Sequence, residues 1–172
     1  MLSGGSHDSR PAHARLPAVH VLISLLGIGS GFVILAGFLG GRRLDTSNAF
    51  FLVTTILTSL SGFILPAHKI VPSHILGALS LIALAIACVA RYLKKMQGGW
   101  QKTYVIAAMI SFYFNVFVLV VQSFRKVPAL HALAPNGSEP PFANAQSIVL
   151  VAFVVFTVLA NKKFRRAASQ TA

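Results

Sequence analysis

The sequence predicts an all-α membrane protein, a polytopic bundle of about five transmembrane helices with almost no soluble mass outside the bilayer. Three observations carry this. Hydrophobic residues make up 55% of the chain, charged residues only 10%, and mean hydropathy is +0.74; a soluble domain needs about 25% charged residues to cover its surface. Five apolar runs approach the roughly 20 residues with which a helix crosses about 30 Å of hydrocarbon. The basic residues gather in short clusters between those runs, as membrane topology signals do.

A polar Gly/Ser-containing tail, residues 1–16, comes first and is expected to be disordered. The bundle then occupies residues 17–161. Its first span covers about 18–40; the apolar core exceeds the 7–15 residues of a signal peptide, so it is read as a retained helix. Gly40 and Gly41 end it, and Asp45, Thr46 and Ser47 supply caps for the next. The second span, about 49–65, closes at Pro66, and the third, about 75–92, opens after Pro72 with Ser73 as N-cap. Gly98 and Gly99 break the third from the fourth, about 104–124, and Trp100 suits the membrane interface. Pro128–Leu133 reads as a short interfacial helix and 135–141 as a turn-rich loop. The fifth span covers about 147–160, and 162–172 form a basic tail.

A net charge of +12 and a pI near 11.1 would point to nucleic acid in a soluble protein. The distribution of charge speaks against it. Arg10, Arg15, Lys69, Arg125 and Lys126 fall on one side of a five-span topology. Arg42, Arg43, Arg91, Lys94, Lys95, Lys102, Lys162, Lys163, Arg165 and Arg166 fall on the other. Positive residues mark the cytoplasmic side, so the N-terminus is expected outside and the C-terminus inside. The expected partners are the lipid bilayer and a second copy of the chain or another membrane protein, not nucleic acid. The single cysteine, Cys88, lies in an apolar run and reads as a structural thiol.

In lipid, helices associate through close packing and polar contacts. Gly27-x-x-x-Gly31 and Gly37-x-x-x-Gly41 give the first span a bare face, for packing within the chain or for homodimerisation. Thr54, Thr58 and Ser61 share one face of the second span; Ser73, Gly77, Ser80, Ala83 and Ala87 form a packing face on the third. On the fourth, Tyr104, Ser111, Asn115 and Gln122 fall within about 40° of one another and must face the interior. Either these groups bond neighbouring helices or they wall a ligand or ion site. Thr58, Ser61, Asn115 and Gln122 are the candidate binding residues.

All six histidines fall on the expected outer side. His7 and His13 belong to the tail; His20, His68, His74 and His131 cluster near one membrane depth, with Glu139 in the adjacent loop. Imidazole and carboxylate suit a divalent metal, and two imidazoles can hold a haem iron. The alternatives are solvated histidines and a proton-sensitive site. His20, His68, His74, His131 and Glu139 are therefore the candidate metal set.

Three stretches carry a resemblance: His20-Val-Leu-Ile-Ser-Leu-Leu-Gly-Ile, Thr54-Thr-Ile-Leu-Thr-Ser-Leu-Ser-Gly-Phe, and Lys126-Val-Pro-Ala-Leu-His-Ala-Leu-Ala-Pro followed by Ser138-Glu-Pro-Pro-Phe. Together the chain resembles a group of small uncharacterised inner-membrane proteins of proteobacteria. The resemblance implies the bacterial cytoplasmic membrane and brings no activity with it.

Three functions fit: a binding or electron-transfer subunit with a metal or haem at the outer face, an accessory protein packed against another membrane complex, or a transporter or channel protomer. No Gly-x-Ser-x-Gly, His-Glu-x-x-His or phosphate loop is present, and catalysis is not expected.

Overall fold

The structure, a computed structural model, describes residues 10–64 and 72–170. Its elements are α1 (Arg10–Leu39), α2 (Asp45–Ile64), α3 (Pro72–Cys88), a π-helical turn (Val89–Leu93), α4 (Trp100–Lys126), α5 (Pro128–Leu133) and α6 (Pro140–Gln170), with no strand among the described residues. Five segments are long and apolar enough to cross a membrane: Leu16–Leu39, Asp45–Ile64, His74–Leu93, Trp100–Lys126 and Pro140–Phe164. The chain is a multi-pass membrane protein. Successive spans run in opposite directions. The start of α1, the end of α4, α5 and the start of α6 share one end, hereafter the α5 end. The α1–α2 and α3–α4 turns share the other, the Arg91 end.

Several boundaries differ from the sequence reading. The first helix begins at Arg10, inside the stretch read as tail, and carries Pro17 within it. The third begins at Pro72, so Ser73 lies in its first turn rather than capping it. Proline suits that place because a first-turn N–H has no intrahelical acceptor to lose. The same reason lets α6 begin at Pro140, before the predicted fifth span. It then runs through the basic stretch to Gln170, where no breaker stops it.

The α1–α2 turn is a Schellman closure. Gly41 N–H donates to Phe38 O at 3.1 Å and Arg42 N–H to Gly37 O at 2.8 Å, with Gly41 at φ 66°. Glycine meets that left-handed conformation without steric cost.

Helix α4 lies centrally, packed against α1, α2, α3 and α6. Its Phe112 is fully buried, with ring centroids 5.0 Å from Phe32, 6.2 Å from Phe51 and 5.0 Å from Phe153. Gly31 supplies the room: a Cβ there would overlap the Phe112 ring. Of the two glycine pairs, the first thus packs α1 within the chain and the second caps it. Helix α6 is peripheral, with Ile148, Val151, Val154 and Val158 exposed along it, a face suited to lipid.

A polar knot ties the Arg91 end. Arg91, on the π-helical turn, donates to the Asp45 carboxylate at 2.6 Å and to the Asp45 carbonyl at 3.2 Å. Its guanidinium lies over the rings of Tyr92 and Tyr104, 5.6 and 5.5 Å from their centroids. Tyr104 in turn donates its hydroxyl to Asn48 Oδ1. Three elements meet there: α2, the π-helical turn and α4.

Candidate functional site

Contacts between α1 and α2 set the depth scale of the site. His20 bonds Ser61, and a Cβ on Gly27 would approach the Thr54 and Thr55 hydroxyls at 3.6 Å. These antiparallel contacts put Ser24 level with Thr58. Gly27 also faces Asn115 Nδ2, and Gly31 faces Phe112, so the α1–α4 register puts His20 level with Gln122. On α3, His74 lies 5.5 Å from the Phe63 ring, and Gly77 also faces Phe63. Two turns in from the start of α3, Ser80 comes about level with Thr58.

Between these four helices lies a cavity of about 460 Å³, within the range of small-molecule sites. From Lys126 at its mouth to Asn115 at its floor it runs about 16 Å along α4, at 1.5 Å per residue. Its walls are mainly apolar, including Val21, Leu25, Ile28, Phe63, Phe114 and Val118. Polar groups enter at three levels. His20, His74, Gln122 and Lys126 line the mouth, Ser24, Thr58 and Ser80 the middle, and Asn115 the floor. Among the described residues no carboxylate lines it, and the ionisable ones that do are His20, His74 and Lys126.

A bond between helices joins His20 to Ser61. Ser61 Oγ donates to the Thr58 carbonyl at 3.1 Å, and His20 Nδ1 lies 2.7 Å from the same oxygen. A hydroxyl has one proton to give. Where Ser61 gives its proton to the carbonyl, Nδ1 is the donor and Nε2 carries the lone pair; where it gives it to Nδ1, Nε2 carries the N–H.

Most membrane hydroxyls of this chain are satisfied by their own helix. Ser24, Ser30, Thr54, Ser61, Ser111, Ser123 and Thr157 each donate to a carbonyl three or four residues back, a habit of Ser and Thr in helices. Thr58 Oγ1 and Ser80 Oγ do not: both are buried, without a hydrogen-bond partner among the described residues. Ser80 is only 2% exposed. Both line the cavity.

The sequence candidates divide accordingly. Thr58, Asn115, Gln122, His20 and His74 line one cavity, and Ser61 supports it by holding His20. Asn115 Nδ2 also reaches Thr55 Oγ1 at 3.4 Å, a bond between helices. His131 and Glu139 stand apart, since neither lines the cavity and His131 is exposed on α5. The Glu139 carboxylate accepts from Asn136 N–H at 3.0 Å, Asn136 Nδ2 at 2.8 Å and Ser138 N–H at 3.0 Å. Led by the Asn136 amide, these donors hold its pKa down to about 2. The acid thus serves its own turn rather than the imidazoles. His68 and His7 lie outside the described residues, as does the side chain of His13. Among the described residues, no three His, Cys, Asp or Glu converge as metal ligands.

Sequence reasoning missed Ser80 and Lys126. Ser80 repeats at helical spacing with small residues and so reads as packing; Lys126 reads as a topology charge. Compared with known proteins, the chain matches no protein-family profile, no curated protein and no solved structure.

Proposed function

We propose that this protein is a small ligand-binding protein of the bacterial cytoplasmic membrane, with its site in the cavity at the α5 end. The observation that carries this reading is the convergence of His20, His74, Thr58, Ser80, Asn115 and Gln122 from four helices onto one cavity. Buried polar groups in lipid cost free energy unless partnered, and a packing seam alone gives no reason to gather so many around open volume. The excess of Lys and Arg at the Arg91 end supports a cytoplasmic placement of that end, which sets the cavity mouth at the outer face. The resemblance to inner-membrane proteins supports the same membrane.

A second reading, electron transfer through a haem, is favoured by one specific observation. His20 is oriented through Nδ1 by Ser61, which leaves Nε2 for a metal, the way ligating histidines are commonly fixed. His74, on α3, lines the same cavity.

Purification from native membranes followed by native mass spectrometry and an absorption spectrum tests both. A stoichiometric small molecule without a Soret band supports the first reading, and a Soret band lost in His20→Ala supports the second. Protein carrying neither, and binding none of the amphiphiles named below, overturns the binding proposal.

A further inference from the structure

Resting on that binding reading, we infer that the ligand is a neutral amphiphile whose head group carries carbonyl-type hydrogen-bond acceptors, a quinone-like ring, seated between Thr58 and Ser80 inside the membrane. The two hydroxyls are the argument. Neither gives its proton to a carbonyl of its own helix, although Thr54 and Ser61 on α2 both do so. A buried O–H without an acceptor is a donor waiting for one. The two residues lie at about one depth on neighbouring helices, and since neither oxygen has open surface in the cavity, one head group meets both after a rotation about their Cα–Cβ bonds.

Charge narrows the class further. Among the described residues the cavity has no carboxylate to hold a cation, and its ionisable groups can only add positive charge. An anionic head would be drawn to Lys126 at the mouth. The chain of such a ligand, running down past Thr58 and Ser80, would leave both hydroxyls unpaired. A head with oxygen acceptors seated deeper satisfies them. His20 Nε2, one turn nearer the mouth, accepts from a hydroxyl on the same ring in the tautomer that has its proton on Nδ1. Water alone is a poorer filling, because a buried water needs two to four polar partners and the walls between the polar levels are apolar.

The test uses the full chain in lipid nanodiscs, titrated separately with decylubiquinone and with laurate. Thr58→Val combined with Ser80→Ala removes both hydroxyls at nearly constant shape. The double variant is expected to bind decylubiquinone weaker by about tenfold or more, while Lys102→Gln, at the Arg91 end, leaves that affinity unchanged. Thermal unfolding of the double variant without added ligand is expected to match the parent, which separates lost binding from lost folding. Decylubiquinone binding that ignores the double substitution overturns the inference and leaves the binding reading standing. Tighter binding of laurate, abolished by Lys126→Gln, does the same. If neither probe binds the parent protein, the binding reading itself falls.

Discussion

Gly29 and Gly31 sit two residues apart on α1 and face opposite surroundings. A Cβ on Gly29 meets nothing within 4 Å, whereas one on Gly31 would overlap the Phe112 ring. That ring cannot retreat, because Phe32, Phe51 and Phe153 pack edge-on around it. Overpacking a close-packed interior costs about 1–3 kcal/mol, and Gly31→Ala is expected to lose that much. Gly29→Ala should change stability by no more than about 1 kcal/mol. Reversible unfolding of both variants in mixed micelles compares them directly, and equal losses would contradict the packing account. The spacing of Gly27 and Gly31 was readable in the sequence as a bare helix face. What filled it was not, because nothing local to α1 names Phe112, more than eighty positions away, as the side chain that needs the space.

At the scale of elements, the turn between α5 and α6 is organised by one carboxylate. Glu139 accepts hydrogen bonds from the amides of Asn136 and Ser138, and its pKa falls to about 2 because those bonds favour the ionised form. The sign follows directly. A depressed folded-state pKa stabilises the turn fully above the ordinary carboxylate value; the contribution shrinks below that value and is gone once pH has fallen through about 2. Protection of the Asn136 and Ser138 amides against hydrogen exchange, corrected for intrinsic rates, should therefore stay flat from neutrality into the mildly acidic range. Glu139→Gln should lower that protection at every pH. A parent protein whose protection falls while pH is still well above the ordinary carboxylate range, or stays flat down to about pH 2, would refute the assignment. Sequence patterning found this element and α5 well, since Pro128 and the Pro135–Pro141 stretch are strong local signals. It underestimated α6 at both ends. The expected fifth span starts at about 147, yet Gln146 already donates to the Phe117 carbonyl at 3.2 Å and so belongs to the packed helix.

For the whole molecule, the number of spans was legible because apolar length is a local property, while the site was legible only in part. The stripe on α4 had to face inward for energetic reasons, and it does: Tyr104, Ser111 and Asn115 are buried. Nothing in the local pattern tells that Glu139 spends its carboxylate on its own turn, or that Ser80 on α3 and Thr58 on α2 line one cavity. Orientation in the membrane is the remaining global quantity, and the basic excess at the Arg91 end makes it testable. In a Cys88→Ala background, Asn136→Cys should react with an impermeant maleimide in intact cells. Lys102→Cys should react only after permeabilisation, and the reverse pattern would invert the proposed topology.

The knot of Arg91, Asp45, Tyr104 and Asn48 has a mechanical meaning. It acts as a rivet near one end of the bundle, joining α2, the π-helical turn and α4 through charge-assisted and buried bonds. At the opposite end α1 meets α2 through the His20–Ser61 bond, and the α3–α4 wall there is mostly aliphatic and aromatic. A bundle fastened in this way is expected to flex, like a clothes-peg, at the end away from the rivet. Lateral pressure in the leaflet around the jaws would then act on the cavity with the length of the helices as its lever arm, making lipid packing on that side a control on how readily the cavity exchanges its contents.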